Sequence, residues 1–242
     1  MNGSRHRFLV PDWTRQGARV TLPEAEARHA QVARIRDREE IEVFDGSGHS
    51  SVARFAAGGV AHPTERLPDR HRESATRLTL AVAPLKKDRF DWLIEKATEI
   101  GVARIVVFAA ERVVARPSQQ RRQRWQQIAA AAAKQCGRSV VPAIADATGL
   151  AGALADGTAD RYVLHESGDH EPLKAALSAR VAEVLIAVGP EGGFTSAEIE
   201  QATRSGATVA TLGPRVLRAE TAAVVGAALA LSGDSSPPTE RA

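Results

Sequence analysis

Leu185-Ile186-Ala187-Val188-Gly189-Pro190-Glu191-Gly192-Gly193-Phe194-Thr195 runs from an unbroken aliphatic stretch into a glycine-proline turn. Four aliphatics without alternation fit a strand covered on both faces, the type that parallel sheets contain. Thr195 with Glu198 reads as a capping box for a helix through Ile199 and Ala202, so the turn leads from strand to helix. The arrangement recurs in Leu212-Gly213-Pro214-Arg215-Val216-Leu217-Arg218-Ala219-Glu220-Thr221, between a β-type run and an apolar helix. Open parallel sheets bind ligands in the crevice at the carboxyl ends of their strands, where both loops emerge. Gly189, Gly192 and Gly193 allow close main-chain approach to a ligand. A single loop of this kind is also an ordinary strand-to-helix corner; the second one favours a binding site.

Outward from this core, β-type runs at residues 78–83, 105–109, 162–165, 184–188 and 208–212 alternate with helical stretches. The clearest helix covers 88–100, where Phe90, Leu93, Ile94, Ala97 and Ile100 recur at helical spacing and Gly101 supplies the stop. This rhythm predicts an α/β domain with a parallel sheet covered on both faces. The first 70 residues differ. Short β-type runs at 6–10, 18–22, 41–44, 51–55 and 60–67, one helix over 23–34 and the Asp45-Gly46-Ser47-Gly48 turn predict a small β-barrel with one helix. The polar, aperiodic residues 68–74 mark the boundary. Domains are therefore expected at 1–72 and 73–234, with 235–242 as a disordered tail.

Composition narrows the function. Cys136 is the single cysteine, so no intrachain disulfide forms, and the seven histidines lack metal-ligand spacing; no metal is expected. The longest apolar stretch, 222–231, is about half the roughly 20 residues a membrane helix needs, and no signal core follows the N-terminus. A cytoplasmic, membrane-free protein is expected. Net charge is only +3, but Arg112, Arg116, Arg121, Arg122, Arg124, Lys134 and Arg138 lie in one segment without a carboxylate. Such a surface suits phosphates, although a solvated helix face would look alike. The glycine loops match neither the P-loop nor the dinucleotide spacing, and Glu191 would repel a phosphate. A nucleoside-type ligand held by main chain and by Leu212 and Leu217 fits better.

Four blocks carry more specific information. Lys86-Lys87-Asp88-Arg89-Phe90-Asp91-Trp92-Leu93-Ile94-Glu95-Lys96-Ala97-Thr98-Glu99-Ile100-Gly101-Val102, Gln135-Cys136-Gly137-Arg138 with Val141-Pro142, and the two glycine loops stand in this order. Together they resemble the signature blocks of the RsmE family, bacterial 16S ribosomal RNA uracil-N3 methyltransferases of the SPOUT superfamily. Leu22-Pro23-Glu24 with Glu26-Ala27-Arg28-His29, and Phe44-Asp45-Gly46-Ser47-Gly48, extend the likeness over nearly the whole chain. Three positions depart from the pattern, Cys136, Ile100 and Ala219, and none is assigned to chemistry.

The resemblance implies an N-terminal PUA-like RNA-binding barrel, a C-terminal SPOUT domain with a deep trefoil knot, S-adenosyl-L-methionine as methyl donor, a homodimer, and 16S rRNA or the small ribosomal subunit as substrate. It implies cofactor contacts at Leu164, Gly189, Pro190, Glu191, Gly192, Leu212, Gly213, Val216 and Leu217. Uracil N3 carries a proton, so the reaction needs help to remove it or to stabilise the anion. Arg218 and Arg138 are the candidates to hold the uracilate or its phosphate, because a guanidinium stays charged and offers several donors. Glu220 is the candidate base, though a carboxylate at a helix start also favours the dipole alone. Arg112, Arg116, Arg121, Arg122 and Arg124 are the candidate RNA contacts. A related enzyme acting on another rRNA or tRNA nucleotide, or a non-catalytic rRNA-binding factor, is the alternative.

Overall fold

The computed structural model describes residues 5–70, 72–112, 117–155, 160–166, 169–177 and 182–232. The expected tail at 235–242 and Arg116 lie outside the described residues. The chain forms two compact units: Met1–Glu73 with Ala130–Val141, and Ser74–Ala129 with Pro142–Ala242.

The first unit contains β1 (His6–Leu9), α1 (Trp13–Gln16), β2 (Val20–Thr21), α2 (Glu24–Val32), β3 (Glu40–Phe44), β4 (Ser50–Ala56) and β5 (Val60–Arg66). They make a mixed five-stranded sheet in the order β1-β3-β4-β5-β2, with only β1 and β3 parallel. Pro63, which cannot donate to a ladder, lies opposite Ala53 where the register of β4 and β5 shifts. Phe8, Val20, Ile41, Val43 and Phe55 gather with Trp13 in one core. The short helix α1 was not foreseen; it inserts Trp13 into that core, and the sequence carries no helical periodicity there because it is a single turn.

Residues 130–141, expected in the second domain, belong to the first unit. Buried polar groups hold them. The Arg7 guanidinium pairs with Glu42 at 2.8 Å, donates to the carbonyls of Ala133 and Arg138, and lies 4.5 Å over the Phe44 ring. One Glu73 carboxylate oxygen accepts from the Arg138 guanidinium at 2.7 Å, and the other from the amides of Ser139 and Val140. A buried ion pair is stable only when its remaining donors and acceptors are also met, and these largely are.

The second unit contains β6 (Arg77–Val82), α3 (Lys87–Ile100), β7 (Arg104–Phe108), α4 (Gln119–Cys136, which ends in the first unit), β8 (Ala143–Ala147), α5 (Gly149–Leu154), β9 (Asp160–Leu164), α6 (Leu173–Ala176), β10 (Glu183–Val188), α7 (Ser196–Arg204), β11 (Thr208–Ala210) and α8 (Ala219–Leu231). Its six strands, in the order β11-β9-β10-β6-β7-β8, are all parallel. The edge strand β8 is the one addition to the expected set. Both faces are covered, as the aliphatic run predicted: Leu185 and Ala187 join the cluster of Leu154 and Ala202 from α5 and α7, whereas α8 packs on β10 and β6. At Gly226 a Cβ would stand 2.9 Å from Leu164 Cδ1, so glycine sets how closely α8 approaches the sheet. Gly101, with φ of 119° and its N–H on Ala97 and Thr98, ends α3 as expected.

Candidate functional site

Three parallel strands end at one cavity of about 260 Å³ in the second unit. Leu164 closes β9, Val188 closes β10, and Thr211 follows β11. Both glycine loops line it: Gly189, Pro190, Glu191, Gly193 and Phe194 on one side, Leu212, Gly213, Val216, Leu217 and Arg218 on the other.

The first loop is braced from several directions. Gly193, at φ +69°, donates to the Pro190 carbonyl at 2.9 Å, and Phe194 stacks on Phe108 with ring centroids 6.2 Å apart. The capping box is present: the Thr195 hydroxyl accepts from the Glu198 amide at 3.2 Å, and the Glu198 carboxylate accepts from the Thr195 amide at 2.8 Å. The other oxygen of Glu198 accepts from the Glu111 amide. The Arg112 guanidinium donates to the Gly192 carbonyl. A Cβ at 193 would also lie 2.8 Å from Glu166 Oε1, so a side chain there would displace that carboxylate.

The second loop is held by little. Among the described residues, the hydrogen bonds of 212–217 are those exchanged between Gly213 and the Thr211 hydroxyl, and Val216 is 79% exposed. Arg218 stands as the N-cap of α8 with its side chain exposed. Glu220, in the first turn of α8, is buried; its Oε1 lies 3.6 Å from the Arg89 guanidinium and its Oε2 has no hydrogen-bond partner among the described residues. The same Arg89 guanidinium reaches Glu191 at 3.4 Å.

The structure thus brings eight of the nine expected cofactor residues to one cavity, together with Arg218. Gly192 is turned so that its carbonyl meets Arg112. Arg138 stands apart from this group: it lies in the first unit, buried, with its guanidinium committed to Glu73. Of the expected RNA contacts, Arg122 is paired with Asp146 at 2.6 Å and Arg124 with Asp91 at 2.7 Å, while Arg121 lines a separate cavity.

Sequence reasoning passed over Arg89, His165 and Glu166. Arg89 offered one signal: a cation in the first turn of a helix opposes the dipole, which marks it as serving another partner. Glu166 offered none, because only folding sets it beside Gly193. The cavity walls are largely main chain and aliphatic, and Glu166 and Glu191 together with Arg215 and Arg218 in the lining suit a ligand that carries charges of both signs.

A parallel sheet with such a crevice at its carboxyl edge is a ligand-binding α/β architecture, and the class is defined by a family model described as an RNA methyltransferase domain, which matches residues 72–231. Ribosomal RNA small subunit methyltransferase E of Synechocystis is 33% identical over 218 residues, 86% of this chain and 71% of that protein. Its namesake from Mesomycoplasma hyopneumoniae is 29% identical over 90% of this chain and 96% of its own length. The crystal structure of the Neisseria gonorrhoeae protein of that name, bound to S-adenosyl methionine, superposes with a TM-score of 0.82 at 32% identity, covering 93% of this chain and 96% of that one. The chain belongs to the ribosomal RNA small subunit methyltransferase E family, the RsmE family that its sequence blocks resemble.

Proposed function

We propose that this chain transfers the methyl group of S-adenosyl-L-methionine to N3 of a uridine in the 16S rRNA of the small ribosomal subunit. The observation that carries this reading is the cavity at the ends of β9, β10 and β11, whose walls match the donor's chemistry. When bound there, S-adenosylmethionine supplies an electrophilic methyl on a sulfonium centre. Leu164, Leu212 and Leu217 offer apolar contact to its adenosine part, and the main chain of 189–193 and 213 offers hydrogen bonds. Glu166 and Glu191 complement the positive charges.

Arg218, exposed on the same cavity, stabilises the anion that uracil becomes as N3 loses its proton. Glu220 serves as the base or orients it, with Arg89 fixing one of its oxygens. Arg138 is read as a structural residue of the first unit, since its guanidinium is already paired. Arg112, Arg116 and Arg121 supply the basic surface for RNA, an interaction weakened by salt, whereas Arg122 and Arg124 are already paired with Asp146 and Asp91.

The trefoil knot, the PUA-like barrel and the homodimer belong to the same reading. The knot is supported by the path of 212–218 beside 189–193 before α8 packs back on β10 and β6. The mixed five-stranded sheet supports the barrel. For the dimer, α3 and α8 pack together and each leaves one large apolar side chain exposed, Trp92 and Val225. No helix among the described residues is long and apolar enough to cross a membrane, which accords with a cytoplasmic enzyme on a ribosomal substrate.

The test is incubation with labelled donor and either unmodified small subunits or free 16S RNA, followed by digestion to nucleosides. Labelled 3-methyluridine is the expected product; any other labelled nucleoside, or none, overturns the assignment.

A further inference from the structure

A second cavity, of about 530 Å³, opens between the starts of α3 and α4 in the second unit and plays no part in the chemistry above. Its volume falls in the range of about 300–1,000 Å³ common for small-ligand sites. One face of α4 lines it with the amides of Gln120, Gln123 and Gln127 and with Arg121. Asp91 of α3 joins them, and Trp125, nearly fully buried against Phe90 at 4.4 Å between ring centroids, makes the floor.

The charges here are costly for the helix itself. The first turn of α4 holds cations and no acid, the reverse of what a helix dipole favours. Arg122 is compensated by Asp146 and Arg124 by Asp91. The guanidinium of Arg121 has no partner among the described residues, although its amide bonds the Ser118 hydroxyl. Asp91 is only half satisfied: Oδ2 meets Arg124, while Oδ1 is buried without a partner among the described residues.

An unpaired cation beside three amides that both donate and accept forms a set that recognises a phosphate and a base edge together. Sequence-specific RNA recognition acts on unstacked bases of single strands, presented in this way. We propose that this cavity holds one unstacked nucleotide of the RNA substrate, with Arg121 on its phosphate and the glutamine amides on its base. The proposal rests on the methyltransferase reading for the identity of the RNA, but it concerns a site distinct from the methyl-donor cavity.

The full-length chain is tested as Arg121→Ala, Gln123→Ala, Gln127→Ala and Arg122→Ala, with methyl transfer to free 16S RNA and binding of a fluorescent oligouridine as readouts. S-adenosylmethionine affinity by calorimetry reports that each variant is folded. Arg121→Ala is expected to raise KM for RNA about tenfold with kcat within about twofold, and to lower the log–log salt slope by about 0.7, one single-strand phosphate contact. Each glutamine variant is expected to raise KM about fivefold without changing the slope, as loss of one uncharged hydrogen bond does. Arg122→Ala, whose cation is already paired, is expected to leave both unchanged.

An equal loss in Arg122→Ala would reduce the effect to general surface charge and overturn the proposal. Unchanged glutamine variants would leave only a phosphate site, which also overturns it. A loss confined to assembled subunits, with free RNA used as by the wild type, would assign the cavity to a ribosomal protein instead. If the wild type transfers no methyl group at all, yet oligouridine binding still depends on Arg121 and the glutamines, the donor reading fails and this site stands.

Discussion

The two loops that face each other across the cavity at the ends of β9, β10 and β11 are alike in sequence and unlike in construction. Residues 189–195 are tied by a turn hydrogen bond, a capping box, a ring stack and two arginines from elsewhere in the unit. Residues 212–217 have bonds only between Gly213 and the Thr211 hydroxyl among the described residues. Glycine and proline therefore announce a loop without saying how firmly it is held. A braced wall suits recognition of a constant ligand, and a free wall suits adjustment to a second, larger substrate.

The sharpest way to break this contrast is Arg218→Ala, at the end of the free loop. Methyl transfer is expected to fall by about 10²–10³-fold, as when one oxyanion donor is removed, while donor affinity stays within about threefold. Equal loss of donor affinity in calorimetry would show that the free wall also builds the donor site. Next in size is the pair Gly193→Ala and Gly213→Ala. Both glycines have positive φ, but only at 193 would the new Cβ meet a neighbour, Glu166 Oε1 at 2.8 Å. Gly193→Ala is expected to cost about 1–3 kcal/mol and more than tenfold in donor affinity, and Gly213→Ala about 1 kcal/mol with little change in affinity. Similar denaturant curves and affinities for the two would erase the distinction.

Thr195→Ala removes one half of the capping box and is expected to cost about 1 kcal/mol, seen as a melting temperature lower by about 2–4 °C. Acid sensitivity locates outside both loops, at Asp45 in the first unit. Burial raises the Asp45 pKa, but hydrogen bonds from Ser47 and His49 outweigh it and hold the carboxyl below its ordinary value of 3.8. A depressed folded-state pKa means stability that is complete above that value and lost as pH falls through the folded one. The melting-temperature gap between wild type and Asp45→Asn should therefore hold at neutral pH and narrow only as pH falls below 3.8. A gap that stays constant there would contradict the assignment. The smallest effect belongs to Val216→Ser on the free loop, expected within about 0.5 kcal/mol of wild type in chemical denaturation.

Periodicity made much of this molecule readable before folding. The run at 185–188 predicted a strand covered on both faces because a central parallel strand has no polar side to display. Helix α3 was legible from its spacing and its terminal glycine, and the capping box from Thr195 and Glu198 alone. Edge strand β8 was not, since Ala143-Ile144-Ala145-Asp146-Ala147 resembles many loops and is half covered. The attachment of 130–141 to the first unit was also hidden, because it depends on Arg7 and Glu73 meeting groups more than sixty residues away. For the donor cavity, the loops themselves named most of its lining. Arg138 shows the opposite: its residue type suggests an anion binder, and only the structure shows Glu73 already beside it.

The bonds from Arg7 to the carbonyls of Ala133 and Arg138 carry a consequence for how the chain is born. Strand β1 and Glu42, which neutralises its buried cation, leave the ribosome early, yet the carbonyls that complete the set around Arg7 emerge only after residues 74–129 of the second unit. At roughly 5–20 residues per second, the nascent first unit waits about 3–14 seconds between completion of Glu73 and of Val141. Through that interval Arg7 has Glu42 but lacks two of its carbonyl acceptors and Glu73 lacks Arg138, so the first unit is a half-finished clasp that closes from behind.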